Sequence, residues 1–164
     1  LSKRSTGRTA YILDEPTTGL DPLMRVTFLD IIKEEHKKGK TIFMSSHSFE
    51  ELEGTCDKVA LINDGQIIDV CDMKKITDPA EKEFKIEFNL QRDYEAFLKE
   101  DYKVIRTQDL YNQATIKINS GDTAKLLKTL NKYNVKFISE IPYTLERHFK
   151  EVLKAKREEA KNVQ

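Results

Sequence analysis

The sequence predicts an α/β fold in its first half and a smaller α+β domain in its second half. Up to residue 78, short apolar runs alternate with segments of helical period, as in sheets of parallel strands. Beyond that point, apolar and polar residues alternate within the strands, as in a sheet with one buried face. Asp78-Pro79 marks the linker, because the residue before a proline disfavours a helix. We therefore expect domains at residues 1–78 and 79–164.

Composition excludes several classes of protein. Lys and Arg number 28, as do Asp and Glu, so the net charge is zero and the basic field typical of nucleic-acid partners is missing. No apolar run approaches the roughly eighteen residues of a transmembrane helix. Cys56 and Cys71 have neither CxxC nor metal-site spacing, which indicates reduced thiols and a cytoplasmic protein.

The strongest signal lies in residues 11–22. An apolar run that predicts a buried strand ends in two adjacent carboxylates, Asp14 and Glu15, and a glycine-containing turn follows. Open α/β sheets bind their ligands at the carboxyl ends of their strands. One of two such acids can hold a hydrated Mg²⁺, and the other can polarise a water for attack on a phosphate.

A helix is predicted to begin at Pro22 and to end near Gly39. Its apolar residues recur at helical spacing and predict one buried face, formed by Met24, Phe28, Ile31 and Ile32. The tripeptide at residues 39–41, Gly-Lys-Thr, has the ending of a phosphate-binding loop. However, Glu34 stands where that loop needs its first glycine. We interpret the tripeptide as a helix cap and a strand start, so the sequence contains no Gly-rich phosphate loop.

A second apolar run, residues 41–44, predicts another buried strand that leads through two serines to His47. If this strand lies parallel to the first, their carboxyl ends meet at the same edge of the sheet. We therefore expect His47 to lie near Asp14 and Glu15.

Residues 11–22 and 41–53 resemble the Walker B strand, D-loop and H-loop of the ATPase subunits of ABC transporters. The resemblance implies a P-loop NTPase-type sheet, here truncated and without a Walker A loop. It implies that Asp14 orients Mg²⁺ through water, that Glu15 is the catalytic base, and that His47 contacts the γ-phosphate of ATP. Asp21 belongs to the implied D-loop, a cofactor-binding segment that reaches across a dimer interface.

The resemblance further implies the carboxyl-terminal portion of an ATP-hydrolysing subunit that energises transport. ATP and Mg²⁺ would be cofactors of the intact protein, and its partners a second ATPase subunit and transmembrane permease subunits. Its place would be the inner face of the cell membrane. Without a phosphate loop, we expect the 164-residue chain to be inactive by itself. We also expect its incomplete sheet to expose apolar surface and to self-associate, and residues 1–9 to form a flexible lead-in.

The rest of the chain contains a hairpin and a second domain. Asp64-Gly65 between two apolar runs predicts the hairpin. The second domain has the order β-α-β-β-α-β of the ferredoxin-like fold, with helices expected to be capped by Asp93 and Asp122. The second of these helices carries Leu126, Leu127 and Leu130. A last helix follows at about residues 144–161. This half resembles the small domain that follows the ATPase core in one bacterial branch of ABC subunits.

A transporter ATPase has three alternatives. One is a non-enzymatic regulatory or dimerisation module built on the ferredoxin-like domain. RNA binding is disfavoured because the third strand of that domain has no aromatic residue for base stacking. An ABC ATPase of DNA repair or translation is disfavoured because no coiled-coil insertion or tandem cassette is visible.

Overall fold

The computed structural model describes residues 9–162, so all but the last residue of the predicted lead-in at residues 1–9 lies outside the described residues. The chain forms two compact units, one of residues up to Met73 with those from Val152 onward, and one of Lys74–Glu151. Within the described residues, no helix combines the length and apolar character needed to cross a membrane.

The first unit contains two small sheets, two complete helices and the part of the last helix from Val152 onward. Its elements are β1 (Ala10–Leu13), α1 (Pro22–Lys37), β2 (Thr41–Met44), α2 (Phe49–Thr55), β3 (Lys58–Asn63) and β4 (Gln66–Asp72), followed by the short α3 (Met73–Thr77) at the unit boundary. β1 and β2 pair in parallel with Leu13 beside Met44, and β3 and β4 pair antiparallel. The parallel pairing is the arrangement expected from the sequence, and it aligns the carboxyl ends of β1 and β2.

The expectation that β1 and β2 are buried is wrong for one face. Ile12 and Phe43 are paired in register, yet they are 81% and 70% exposed. Neighbouring residues of a strand point to opposite faces of the sheet. The alternating burial of both strands shows that only one face is partly covered in the described part of the chain.

The predicted apolar face of α1 is also narrower than expected. Ile32 is buried and Phe28 is partly buried, whereas Met24 and Ile31 are exposed. The helix contacts α2 and β2, and these neighbours cover only one strip of its surface. The termini agree with the prediction, because Pro22 is the first helical residue and Gly39 follows the end with a φ of 84°.

The hairpin of β3 and β4 forms as predicted. Asp64 and Gly65 occupy the turn with φ values of 49° and 73°, the left-handed backbone that a two-residue type I′ turn requires. The hairpin buries Val59, Leu61 and Cys71.

The second unit contains a four-stranded antiparallel sheet in the order β6-β7-β5-β8. Its elements are β5 (Glu81–Phe88), α4 (Gln91–Phe97), β6 (Lys103–Gln108), β7 (Gln113–Asn119), α5 (Thr123–Leu130) and β8 (Val135–Ile141), and α6 (Leu145–Asn162) begins in this unit. Its core includes Ile86, Ala114, Ile116 and Leu126, all with no exposed surface.

Of the two predicted helix caps of the second unit, the position of Asp122 is confirmed and that of Asp93 is wrong. Leu90, not Asp93, occupies the N-cap of α4, and the Asp93 carboxylate instead accepts a hydrogen bond from the backbone N–H of Asn134 at 2.9 Å. Asp122 occupies the N-cap of α5 without a capping bond, because its side chain accepts from the amide of Asn119. Leu126 and Leu130 of α5 are buried, whereas Leu127 is exposed.

Candidate functional site

The site lies where the parallel strands β1 and β2 end. The backbone N–H of Ser45 donates to the carbonyl of Leu13 at 2.9 Å, which extends the pairing beyond the strands. At this edge Oε2 of Glu15 lies 2.8 Å from Nδ1 of His47. An ionised carboxylate can only accept a hydrogen bond, so Nδ1 of the imidazole carries the proton in this contact. The structure therefore brings Glu15 and His47 together.

Ser45 connects Asp14 to the backbone of Glu15. Its hydroxyl donates to Oδ1 of Asp14 at 2.5 Å and accepts from the N–H of Glu15 at 2.8 Å. Oδ2 of Asp14 has no hydrogen-bond partner among residues 9–162, and the side chain is exposed. This edge thus presents a carboxylate oxygen to solvent beside the acid–imidazole pair.

The backbone of Glu15 is in an unusual conformation. Its φ is 43°, in the left-handed region that a non-glycine residue adopts at a cost of roughly 1–3 kcal/mol. The carbonyl of Glu15 accepts a hydrogen bond from the N–H of Thr18 at 3.0 Å, which closes the turn. Such a conformation persists only where neighbouring groups hold it.

Glu51 lies buried behind this turn. Its Oε2 accepts from the hydroxyl of Thr17 at 2.8 Å and from that of Ser46 at 3.0 Å. Its Oε1 pairs with Nε of Arg25 at 3.2 Å. Only 5% of Glu51 is exposed. One carboxylate thus joins α1, α2 and the segments that follow both strands.

Asp21 is not part of this cluster. Its Oδ1 accepts from the N–H groups of Leu23 and Met24 at 2.9 and 3.0 Å, so its carboxylate caps the start of α1. Its hydrogen bonds therefore go to the helix N-terminus and not to Asp14, Glu15 or His47.

The two cysteines are poor nucleophiles. Burial raises the pKa of the Cys56 thiol, and nearby Asp57 raises it further. Burial also raises the pKa of Cys71, again with an acidic neighbour, Asp69, adding to the effect. Because the thiolate is the reactive form, a raised pKa makes both groups less reactive.

The second unit has a cleft lined by ion pairs. Arg147 binds the Glu83 carboxylate through two hydrogen bonds of 2.9 and 2.7 Å. Lys82–Glu140 at 3.1 Å and Lys117–Glu81 at 2.7 Å are also among the lining residues. These charged groups are already paired with one another. The cleft is therefore a weaker candidate for a ligand-binding site than the edge of β1 and β2.

Three site residues were missed in the sequence: Thr17, Ser45 and Glu51. Ser45 was visible only as one of two serines before His47, and nothing distinguished its hydroxyl from that of Ser46. Thr17 carries no charge and lies in a turn, where threonine is common. Glu51 is one of several acids in a short helix, and only the folded chain shows that it is buried.

A family model and several known proteins match parts of this chain. Residues 1–53 match the family model described as "AAA domain, putative AbiEii toxin, Type IV TA system". An uncharacterized ABC transporter ATP-binding protein of Nostoc, all4389, is 45% identical over 56 residues, 34% of this chain and 17% of that protein. The linearmycin resistance ATP-binding protein LnrL of Bacillus subtilis is 40% identical over 57 residues, 35% of this chain and 18% of that protein.

One relative extends into the second half of the chain. The methionine import ATP-binding protein MetN of Mannheimia succiniciproducens is 29% identical over 143 residues, 80% of this chain and 41% of that protein. The chain thus spans less than half the length of each of these three relatives.

Proposed function

We propose, from the premise that the curated homologues of this chain are ABC transporter ATP-binding proteins, that the chain is the carboxyl-terminal portion of such a subunit. The intact subunit would hydrolyse ATP to energise transport across a membrane. The observation that carries the proposal is the 2.8 Å contact between Glu15 and His47 at the ends of two parallel strands. An acid and an imidazole placed together can orient a water for attack on a phosphate.

Each residue of the edge has a separate role in this proposal. Glu15 accepts the proton of the attacking water, and His47 holds Glu15 in place and contacts the γ-phosphate. Asp14 orients the metal through water, while Asp21 contributes to the nucleotide site across a dimer interface. The hydroxyl of Ser45 holds the carboxylate of Asp14 close to the backbone of Glu15, because it donates to the first and accepts from the N–H of the second.

The donor set fits a hydrated magnesium ion bound with ATP. Mg²⁺ prefers oxygen ligands and keeps several of its waters, which suits one exposed carboxylate better than a closed cage. Asp14 supplies such a carboxylate, with Oδ2 unpaired among the described residues. When bound, the metal would neutralise charge on the phosphates of ATP.

The remaining parts of the proposal concern architecture and partners. We assign residues 1–78 to the ATPase domain, as a partial P-loop NTPase-type sheet, and residues 79–164 to an accessory ferredoxin-like domain. The element order β-α-β-β-α-β and the antiparallel sheet order of the second unit support the latter assignment. The partners would be a second ATPase subunit and permease subunits, at the inner face of the cell membrane, with no role for nucleic acid.

A second candidate is a non-enzymatic regulatory or dimerisation module. It is favoured by the completely buried core of the second unit, which contrasts with the exposed strands of the first. In this case the contact between Glu15 and His47 would have no catalytic use.

The test compares two proteins encoded by the same gene region. The 164-residue chain is titrated with Mg-ATP by calorimetry, and phosphate release is assayed in parallel. A longer protein that includes the upstream coding sequence is assayed in the same way. We expect neither binding nor release for the chain, and turnover by the longer protein that Glu15→Gln lowers by at least about a hundredfold. Glu50→Gln is the matched control, because Glu50 is an exposed glutamate.

Two outcomes would contradict the proposal. Turnover by the 164-residue chain would show a phosphate site that its sequence does not reveal. Equal turnover in the wild type and in Glu15→Gln of the longer protein would remove the catalytic role and favour the regulatory module.

A further inference from the structure

We propose that Glu51 is a positioning residue that holds Glu15 against His47. This inference rests on the proposed function for its meaning, but its structural content can be tested without ATP. Neither the family model nor the relatives' names assign a role to Glu51.

The first argument is where the bonds of Glu51 go. Its Oε2 accepts hydrogen bonds from the hydroxyls of Thr17 and Ser46. Thr17 lies two residues after Glu15, and Ser46 directly precedes His47. A single oxygen atom therefore joins the two segments that carry the acid and the imidazole. Loss of this oxygen would release both segments at once.

The second argument is the backbone of Glu15. A left-handed non-glycine residue needs external support, and here the support comes from two sides. Ser45 binds its N–H at 2.8 Å, and the bond between Thr17 and Glu51 fixes the turn that follows it. Without the second support, we expect Glu15 to relax toward an ordinary conformation and its carboxylate to move away from the imidazole.

The third argument is the cost of burying a carboxylate. A buried charge is expensive unless it is paired and hydrogen-bonded. Glu51 meets both conditions, because Arg25 supplies the charge and two hydroxyls supply hydrogen bonds. A leucine could fill this buried position without the cost of burying a charge. The presence of a carboxylate is therefore best explained by the groups that it joins.

The experiment uses ¹⁵N NMR of the imidazoles in the 164-residue chain at a constant pH. In the wild type, Nδ1 of His47 donates to Glu15, so the signal of the Nδ1–H form should dominate. In Thr17→Val, which loses one hydrogen bond, we expect the equilibrium constant for the Glu15–His47 contact to fall about fivefold. In Glu51→Ala, which loses two hydrogen bonds and the pairing with Arg25, we expect a larger fall. The Nδ1–H signal should fall accordingly.

Two further variants separate positioning from general stability. Glu51→Gln keeps an oxygen for the two hydroxyls and should restore part of the wild-type signal. Glu50→Ala removes an exposed glutamate from the same helix and should leave the signal unchanged. Amide signals of β1 and β2 report whether each variant is folded. Thr17→Val retains the side-chain volume, so it tests the inference even if Glu51→Ala unfolds.

The inference is overturned if Glu51→Ala or Thr17→Val remains folded and keeps the wild-type signal of His47. It is supported if both lose that signal while Glu50→Ala keeps it. The result is independent of the proposed ATPase activity. A longer protein without turnover would remove the catalytic purpose, yet the positioning of Glu15 by Glu51 would stand.

Discussion

Different interactions organise the interior of each of the two units. The second unit has a closed apolar core in which Phe97 lies 5.1 Å from Phe88 and 5.6 Å from Tyr102, measured between ring centroids. In the first unit, Ile12 and Phe43 at the centre of the parallel sheet are exposed. The edge of that sheet is instead organised by hydrogen bonds around Ser45 and Glu51.

This difference shows where stability and chemistry reside. Apolar burial is non-directional and scales with area, so the second unit gains stability without a precise arrangement of polar atoms. Hydrogen bonds are directional and fix the positions of acids and imidazoles, but each adds little net stability. The first unit therefore has the better-defined polar site on the less buried scaffold.

The largest expected effect compares a phenylalanine from each unit. Phe97→Ala should lower the free energy of unfolding of the second unit by about 3–5 kcal/mol, because it opens a cavity in a packed core. Phe43→Ala removes a side chain that is 70% exposed, and the expected loss is below about 1 kcal/mol. Urea unfolding followed by tyrosine fluorescence measures the second unit, because the chain has no Trp and, of its 6 tyrosines, only Tyr11 lies outside that unit. The amide signals of β1 and β2 in the same urea series measure the first unit. Equal losses of the free energy of unfolding in Phe97→Ala and Phe43→Ala would contradict the difference between a packed second unit and an exposed parallel sheet in the first.

The next effect concerns self-association through the exposed strands. We expect the wild type to self-associate, and the double variant Ile12→Thr, Phe43→Thr to raise the dissociation constant roughly tenfold, because two apolar side chains leave the contact. Threonine keeps the strand preference of both positions. Sedimentation over a concentration series measures the constant. Leu110→Thr is the control, since Leu110 is 86% exposed in the second unit. A wild type that is monomeric at every concentration would contradict the prediction.

The sequence predicted the elements of both units better than their burial. The hairpin at Asp64-Gly65 could be predicted because a type I′ turn has a local residue code. The exposure of Ile12 and Phe43 could not, because an apolar run shows that a strand prefers burial but not which faces are covered.

The candidate site was predictable only for residues with a recognisable pattern. Glu15 and His47 follow apolar runs, and parallel pairing of those runs brings them together. Glu51 is recognised only through its contacts in the folded chain, such as the one with Arg25 of the preceding helix α1. Such a contact leaves no periodic signal in the sequence. Asp93 shows the same limit, because a partner distant in sequence, Asn134, replaced the predicted cap.

A smaller effect is the alkaline sensitivity of the second unit. Burial and a hydrogen bond to Asp109 raise the pKa of Tyr94 to about 12. A hydrogen bond to Glu100, with burial, raises the pKa of Tyr133 to about 12. A raised pKa means that the folded unit keeps these protons longer than the unfolded chain. The resulting stability is present below pH 10 and is lost as the pH rises from about 10 to about 12.

This sensitivity is tested by urea unfolding at neutral pH and near pH 11, followed by circular dichroism. Because the two tyrosines are shifted similarly, Tyr94→Phe should remove roughly half of the alkaline loss that they cause. Tyr111→Phe is the control, since Tyr111 is exposed. An unchanged alkaline loss in Tyr94→Phe would show that the phenol of Tyr94 is not responsible.

The smallest effect is the acid sensitivity of the first unit. Hydrogen bonds from Lys38 and then Lys40 lower the pKa of Glu35 to about 2. Lys40 also donates to the hydroxyl of Tyr11 at 2.9 Å, so this cluster connects α1 to β1. Because the folded pKa is lowered from 4.5, the contribution of Glu35 is present above about pH 4.5 and is lost as the pH falls toward 2.

Glu35→Gln should therefore destabilise the first unit slightly near pH 6 and should reduce its dependence on pH between 4.5 and 2. The effect is small because solvent screens ion pairs at the surface. Urea unfolding followed by the amide signals of β1 and β2 measures it, with the exposed neighbour Glu34→Gln as the matched control. Glu34→Gln should keep the acid dependence of the wild type. If Glu35→Gln keeps it as well, the cluster around Lys40 does not stabilise the strand that leads to Asp14 and Glu15. The polar edge would then depend on the Ser45 and Glu51 networks, with no support from the far end of α1.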